Sequence, residues 1–142
     1  DSLAANSPGR FVSTISVDPA NANHAWISYG SYSVLTPTTP GHIFSVTYDP
    51  NAGTATWTNL DGSGPTAFPD FPANSVVFGS VRGDLYASND WGVLRRANGS
   101  SDWVVAGTGL PMVEVPGLTI VPSARKLYAA THGRSAWLLT LP

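Results

Sequence analysis

The chain has no cysteine and very little charge. Only 11% of its 142 residues are charged, less than half of the share of about 25% that is usual in globular domains. Without cysteine the chain cannot form disulfides, thiolate metal sites or a cysteine nucleophile. Lysine and glutamate occur once each, as Lys126 and Glu114, whereas serine, threonine, asparagine and glycine are plentiful. This composition favours an extracellular surface, and we expect a secreted protein.

The charge balance and the short apolar runs exclude two kinds of partner. Seven basic residues stand against nine acidic ones, for a net charge of −2. Adjacent basic residues occur only at Arg95-Arg96 and Arg125-Lys126, so the chain lacks the basic stripe of a nucleic-acid binder. No apolar run approaches the roughly 18 to 20 residues of a membrane span. We therefore expect neither nucleic acid nor a membrane as a partner. The start, residues 1–6, has no methionine or targeting pattern, which predicts an N-terminus that is already trimmed.

Helical periodicity is also missing, and short apolar runs bounded by turn residues take its place. No window offers ten good helix formers without a glycine, proline or β-branched interruption. Apolar and β-branched runs that end at glycine, proline, asparagine or aspartate are typical of strands. The predicted strands are residues 14–17, 24–29, 42–48, 54–60, 75–78, 84–88, 92–96, 102–105, 118–122, 126–130 and 135–139.

The predicted strands fall into a repeat. Trp57 and Trp103 are 46 residues apart, and Tyr86 and Tyr128 are 42 residues apart, in similar local sequence. A four-stranded unit recurring every 40 to 50 residues or so is typical of a β-propeller blade. We predict an all-β fold of about three four-stranded antiparallel blades in a single segment spanning 1–142. The blades cover residues 11–60, 74–106 and 115–141, and the last lacks its fourth strand.

Three blades do not close a propeller, which needs about four to eight. An open arc exposes an unpaired strand edge and an apolar blade face. We therefore expect this chain to be part of a larger propeller, with the remaining blades of the same propeller as its partner. A propeller built from two or more copies of the chain is the alternative.

Three motifs carry a family resemblance. Residues 17–21, Val-Asp-Pro-Ala-Asn, precede a strand, and residues 92–94, Gly-Val-Leu, lead to a turn and then to tryptophan. Residues 130–137, Ala-Thr-His-Gly-Arg-Ser-Ala-Trp, are similar to the Ala-Thr-x-Gly-Arg-Gly-x-Trp ending of some bacterial propellers. On these motifs residues 12–141 or so resemble the Asp-box (bacterial neuraminidase repeat) propellers, which include sialidases, sortilin-type receptors and xyloglucanase-type glycosidases. The resemblance implies the C-terminal blades of a secreted bacterial member.

The Asp-box residues of this chain are predicted to be architectural. The family pattern is Ser-x-Asp-x-Gly-x-x-Trp, in which aspartate and glycine build the turn between the third and fourth strands and tryptophan packs between blades. This chain has the tryptophan, but it departs from the pattern at the serine, aspartate and glycine positions. Asn98 and Gly99 still suit a hairpin turn, because both tolerate positive φ. The predicted structural residues of the repeat are Trp57, Asn98, Gly99, Trp103 and Trp137.

Candidates for catalysis are few. A glycosidase needs two carboxyl groups roughly 5 to 9.5 Å apart, and Glu114 is the single glutamate. Most aspartates, including Asp18, Asp49, Asp61 and Asp70, stand in turn sequences where their side chains are expected to cap backbone amides. The arginines match no sialidase triad. The sequence therefore assigns no catalytic residue.

One group of residues is predicted to bind a ligand. Asp90 and Trp91 end the second strand of the middle blade, and His132 and Arg134 stand in the matching turn of the last blade. If the two turns are neighbours, this group can bind a sugar by stacking and hydrogen bonding. The alternative is that Asp90 pairs with Arg134 and merely holds neighbouring blades in register. The histidines are spread singly along the chain, and we expect no metal and no cofactor.

These observations favour a non-catalytic scaffold or binding segment of a secreted propeller, which contacts glycan or protein through its blade-end loops. The alternative is the C-terminal part of a propeller glycoside hydrolase that acts on a polysaccharide, with its catalytic acids mostly on another segment. The supply of carboxylates distinguishes the two, and it favours binding.

Overall fold

The structure, a computed structural model, describes residues 7–142. The predicted trimmed start, residues 1–6, lies outside them. The strands of the first sheet are β1 (Val12–Asp18), β2 (Asn21–Tyr29), β3 (Ile43–Asp49) and β4 (Thr54–Asn59). Those of the second are β5 (Ser75–Gly79), β6 (Asp84–Asn89), β7 (Gly92–Arg96) and β8 (Trp103–Val105), and those of the third are β9 (Gly117–Val121), β10 (Lys126–Ala130) and β11 (Ala136–Thr140). Single 3₁₀ turns lie at Ser33–Leu35, Gly64–Thr66 and Pro122–Ala124.

Each sheet is an antiparallel meander of consecutive strands. The strand orders are β1-β2-β3-β4, β5-β6-β7-β8 and β9-β10-β11. Every predicted strand is present. Runs of β-branched and aromatic residues favour strands, and the turn residues that close each run bring the next strand alongside it, so strands that are consecutive in sequence pair. The prediction of three antiparallel blades, of which the last has three strands, is thus confirmed for residues 7–142. In the same part of the chain, no helix has the length and apolarity needed to cross a membrane.

The three sheets lie side by side with their first strands as neighbours. β1 packs beside β5, and β5 beside β9. A hydroxyl group joins each pair: Thr14 Oγ1 accepts a hydrogen bond from the Val76 amide at 2.8 Å, and Ser75 Oγ accepts one from the Leu118 amide at 3.3 Å. This arrangement of first strands around a common axis is that of propeller blades.

The strand registers define which residues of the sheets are equivalent. Ser28 of β2 pairs with Thr14, and Ser88 of β6 pairs with Ser75. In the outer strands, Trp57 pairs with Val46 just as Trp103 pairs with Arg96. The two tryptophans therefore occupy one position of the repeat, as predicted. Leu94 pairs with Ala87, and Trp137 pairs with Ala129. Trp137 therefore occupies in β11 the position that Leu94 occupies in β7, and not the fourth-strand position of Trp57 and Trp103.

The turn between β7 and β8 differs in detail from the expected one. The Ser100 amide donates to the Ala97 carbonyl at 3.0 Å, which closes a four-residue turn around Asn98 and Gly99. Only Gly99 has a positive φ, of 76°, so the turn requires glycine at its third position alone. Asn98 N donates to Asp84 Oδ1 at 3.0 Å and anchors the turn to β6.

The core consists of apolar clusters between and on the sheets. The first cluster lies between the first and second sheets and contains Trp103. The second lies between the second and third sheets and contains Leu118 and Leu127. A smaller cluster around Tyr29 and Phe44 lies on the other face of the first sheet. Blade-to-blade packing, in which alternate residues of each strand face a neighbouring sheet, therefore provides most of the buried apolar surface.

Because two tyrosine side chains are buried in it, the core is expected to lose stability at alkaline pH. Burial raises the pKa of Tyr29 and of Tyr86, and the Tyr29 hydroxyl is hydrogen bonded to Ser7 Oγ at 2.8 Å. The folded state therefore favours the neutral phenol, and its stability is complete below the unfolded pKa of about 10 and is lost as the pH rises above it. We expect Tyr29→Phe to lower the slope of melting temperature against pH between about pH 9 and 11. Tyr32→Phe, at an exposed tyrosine, is the control, and an unchanged slope in Tyr29→Phe would contradict the argument.

Candidate functional site

Two turns that were predicted to share a site lie at the same end of neighbouring sheets. The β6–β7 turn contains Asp90 and Trp91, and the β10–β11 turn spans residues 131–135. The segment that leads into β9 runs between them: the Val115 amide donates to the Asn89 carbonyl at 3.1 Å, and the His132 amide donates to the Glu114 carbonyl at 2.9 Å. Two adjacent residues of this segment, Glu114 and Val115, thus bind one turn each. The segment therefore holds both turns at one edge of the molecule.

Trp91 is an exposed indole in a fixed position. It is 56% exposed although it is a large aromatic residue. Its amide donates to Asn89 Oδ1 at 2.8 Å, an Asx turn that tightens the two-residue hairpin. Its ring packs against Phe71, with ring centroids 4.5 Å apart and ring planes inclined at 36°. Phe71 thus supports the indole, and more than half of Trp91 remains exposed to solvent.

Glu114 joins the predicted group through His132. Glu114 Oε2 lies 2.9 Å from His132 Nδ1, and the His132 side chain is largely exposed whereas that of Glu114 is half-buried. Sequence reasoning had treated Glu114 only as a lone carboxylate in a connecting segment. No sequence pattern indicates the pairing, because the position of His132 opposite Glu114 depends on how the segment before β9 runs between the two turns.

Asp90 and Arg134 do not form the ion pair that was the alternative interpretation. Asp90 Oδ1 accepts a hydrogen bond from Asn74 Nδ2 at 3.1 Å. Among residues 7–142, no ion pair joins Asp90 to Arg134. Arg134 instead contributes its carbonyl, which accepts a hydrogen bond from Trp137 Nε1 at 2.9 Å and fixes that indole. The pairing prediction is wrong because the intervening segment around Glu114 separates the two turns. We call Phe71, Asp90, Trp91, Glu114, His132 and Arg134 the rim.

A cavity of about 380 Å³ lies below the rim, between the second and third sheets. Its wall is almost entirely apolar, and Trp91 and Phe71 form part of it. We call it the outer cavity, because the fourth strand of the second sheet and the third strand of the last sheet border it. Its wall includes Leu94, Leu110, Met112, Leu127, Trp137 and Leu139. Of the rim residues, Phe71 and Trp91 line this cavity, whereas Asp90, Glu114, His132 and Arg134 do not.

The aspartates in turns behave as predicted. Asp18 Oδ1 accepts from the Ala20 amide at 2.9 Å, and Asp49 Oδ1 accepts from the Asn51 amide at 2.8 Å. The His24 hydrogen bond lowers the pKa of Asp18. Asp-Pro turns of this kind stabilise the hairpins, and the carboxylates of Asp18 and Asp49 cap backbone amides in them.

Asp61 is the most heavily bonded of these aspartates. Its carboxylate accepts hydrogen bonds from the His42 and Ile43 amides at 2.9 to 3.0 Å and lies 2.9 Å from His42 Nδ1. Nε2 of the buried His42 lies 3.2 Å from Asp70 Oδ1, without the alignment of a hydrogen bond. This buried group, which sequence reasoning missed, fixes the start of β3 against the connection between the first two sheets. In residues 7–142, no three histidine or acidic side chains are grouped as a metal site.

Comparison with known proteins shows the fold and not the family. No protein-family profile and no curated protein matches the sequence. Among solved structures, the chain is similar to a gluconolactonase from Xanthomonas campestris, with a TM-score of 0.55 and 18% sequence identity. The alignment covers 94% of this chain and 38% of that one. At this identity the similarity carries no activity across, and together with the three antiparallel sheets it shows a β-propeller segment.

Proposed function

We propose that this chain is a non-catalytic binding segment of a secreted Asp-box β-propeller and that its rim binds a glycan. The observation that carries the proposal is Trp91, an exposed indole that Phe71 supports from behind. Holding a large apolar ring in contact with water is unfavourable, so a rigid exposed indole is typical of a binding surface. Asp90 precedes it in sequence, and the hydrogen-bonded pair of Glu114 and His132 lies where the segment before β9 is bonded to Asn89.

A glycan is the ligand that suits this geometry. A pyranose ring has an apolar face of C–H groups and an edge of hydroxyl groups. The free side of Trp91 offers a flat surface for such a face, and the carboxylates of Asp90 and Glu114 are acceptors for hydroxyl groups at its edge. Arg134, whose side chain is exposed, adds a donor. The small supply of carboxylates, with Glu114 as the single glutamate of the chain, supports binding rather than cleavage.

In this proposal the partners of the segment are further blades of the same propeller. The exposed face of the first sheet supports this part of the proposal. Ile15, Val76 and Leu118 occupy the same position, one residue after the inner-strand position of Thr14, Ser75 and Gly117. Val76 and Leu118 are buried between sheets, with 1% and 9% of their surface exposed, whereas Ile15 is 60% exposed. The free face of the first sheet is thus built like a blade interface.

The free face of the third sheet has the same character. Trp26, Tyr86 and Tyr128 are equivalent aromatic residues of the second strands, on the faces that point along the arc. Trp26 and Tyr86 are 7% and 2% exposed because a neighbouring sheet covers them, and Tyr128 is 43% exposed. An additional blade on each side would bury Ile15 and Tyr128 as their counterparts are buried, which favours a longer propeller.

The secreted location and the Asp-box family rest on the sequence. The scarcity of lysine and glutamate supports an extracellular protein, and the equivalent positions of Trp57 and Trp103 after the third strand support the Asp-box interpretation. The turns that precede these tryptophans lie between the third and fourth strands, where the family has its Asp-box.

Trp91→Ala tests glycan binding. We expect the wild-type chain to be retarded in native gels that contain one of a panel of neutral polysaccharides, such as xyloglucan, β-glucan or mannan. Trp91→Ala should weaken that retardation at least roughly tenfold in apparent affinity and change the melting temperature little, because the side chain is mostly exposed. Tyr48→Ala removes an exposed aromatic residue at the far end of the first sheet and is the matched control. Retardation by none of the polysaccharides, or equal retardation of wild type and Trp91→Ala, would refute the proposal.

A further inference from the structure

A second cavity, of about 270 Å³, lies where the first sheet packs against the second. It reaches the β5–β6 and β7–β8 turns, which are at the end of the second sheet opposite the rim. We call it the basal cavity. Its wall combines the apolar side chains of Trp26, Phe78 and Leu85 with Arg96 and the turn of residues 97–99. The rings of Trp26 and Phe78 are stacked, with centroids 4.1 Å apart, so the wall includes a packed aromatic pair.

Arg96 stands at a position of the repeat that is aliphatic in the other two sheets. The registers make three third-strand residues equivalent: Val46, Arg96 and Leu139. The cross-strand partners of Arg96 are Leu85 and Trp103, each 4% exposed, so Arg96 is on the face of the second sheet that packs against the first. Because the same position is aliphatic in two of the three sheets, the blade architecture does not require a charge there.

Arg96 also lacks a counter-charge. Its neighbour Arg95, on the opposite face of β7, is paired with Asp84, with Nη2 2.7 Å from Oδ2. Among residues 7–142, Arg96 forms no ion pair, and its Nε is buried without a hydrogen-bond partner. Burial lowers the pKa of Arg96, and in this part of the chain no carboxylate counteracts that shift as carboxylates do for Arg10. A partly buried guanidinium without an acceptor is unfavourable, and an anion relieves that cost.

We infer that the basal cavity binds a small organic carboxylate with an apolar ring as its body, and that Arg96 holds the carboxylate. A guanidinium suits a carboxylate because its N–H groups can donate to both oxygens, and its single charge balances a monoanion. Trp26 and Phe78 provide apolar surface for the ring. The volume is just below the range of about 300 to 1,000 Å³ for pockets that hold drug-sized ligands, which favours a small molecule over a polymer. This site is separate from the rim and does not depend on glycan binding.

Benzoate, benzamide and sulfate test the chemistry of the ligand. Benzoate and benzamide have the same shape and differ in charge, and sulfate is an anion without a ring. NMR titration of the chain at physiological ionic strength follows the Nε–H signal of Arg96 and the indole N–H signal of Trp26. We expect benzoate to shift both signals at millimolar concentration, and benzamide and sulfate to bind at least roughly tenfold more weakly. No shift with benzoate at millimolar concentration, or equal binding of benzamide or sulfate, would overturn the inference.

Arg96→Leu separates binding from folding, because it introduces the residue that the third sheet has at this position. We expect benzoate to bind at least roughly tenfold more weakly, and the melting temperature to equal or exceed that of the wild type, since an unpaired guanidinium is no longer buried. Arg82→Leu removes an exposed arginine of the β5–β6 turn that does not line the cavity, and it should leave benzoate binding unchanged. Unchanged benzoate binding in Arg96→Leu would place the ligand elsewhere and refute the site. A melting temperature well below that of the wild type would show that Arg96 stabilises the fold itself, which contradicts its assignment to a ligand.

Discussion

Trp103→Ala is expected to lower the free energy of unfolding by about 3 to 5 kcal/mol, the range for removal of a buried tryptophan. Trp103 is 4% exposed and connects the outer strand of the second sheet to the end of the first. The substitution removes the packing against Phe68 and the hydrogen bond to the Leu60 carbonyl, and it leaves a cavity between two sheets. Urea unfolding followed by circular dichroism measures the change.

Trp57→Ala is the matched control for this prediction. Trp57 occupies the same position of the repeat, but it is only half-buried, and its ring packs against Tyr29 and Phe44 of its own sheet. We expect Trp57→Ala to lower the free energy of unfolding clearly less than Trp103→Ala does, because Trp57 is more exposed than Trp103. Equal losses for the two variants would show that packing between sheets is not what makes Trp103 important.

Asp61→Ala is expected to cost about 2 to 4 kcal/mol of stability. The carboxylate of Asp61 satisfies the His42 and Ile43 amides and the His42 ring, all of which are buried. Alanine leaves these donors without an acceptor, at about 1 to 3 kcal/mol for each unsatisfied group. Arg10 is affected as well: burial lowers the pKa of its guanidinium, and Asp61 and Asp70 counteract that shift.

Asp49→Ala provides the comparison for Asp61. Asp49 also accepts two backbone amides, those of Asn51 and Ala52, but it does so in an exposed turn where water can replace it. Its loss should therefore cost no more than about 1 kcal/mol. Thermal melts of both variants at neutral pH make the test, and an Asp61→Ala melting temperature close to that of Asp49→Ala would contradict the role of burial.

The strands were predictable because their signals are local. Each is a short apolar run closed by turn residues, and each pairs with its neighbour in sequence, so one pattern determines both the strand and its partner. The repeat added the blades, since Trp57 and Trp103 stand in similar local sequence 46 residues apart. The position of the turn at Asn98 and Gly99 was predicted, but its backbone conformation was not. The register of β7 and β8 leaves six residues in the connection, so it is not a two-residue hairpin turn.

The site was less predictable because it depends on contacts between turns distant in sequence. Sequence alone placed Asp90, Trp91, His132 and Arg134 at matching positions of two blades, and the structure places their turns at one edge. The pairing of Glu114 with His132 and the support of Trp91 by Phe71 involve connecting segments, whose path no periodic pattern specifies. The outer cavity was invisible for the same reason, since it arises from a strand that the third sheet does not contain within residues 7–142.

The hydroxyl groups between the inner strands give the arc a direction. Thr14 accepts from the second sheet and Ser75 accepts from the third, always in the same sense along the chain. The equivalent residue of the third sheet is Gly117, which has no side chain to accept the next amide. Successive sheets are therefore joined head to tail, and the two ends of the arc are chemically different surfaces. Two copies meeting through their first sheets would bring two amides together, and two copies meeting through their third sheets would bring two faces without this hydroxyl, so a symmetric face-to-face dimer cannot reuse the bond that joins the blades.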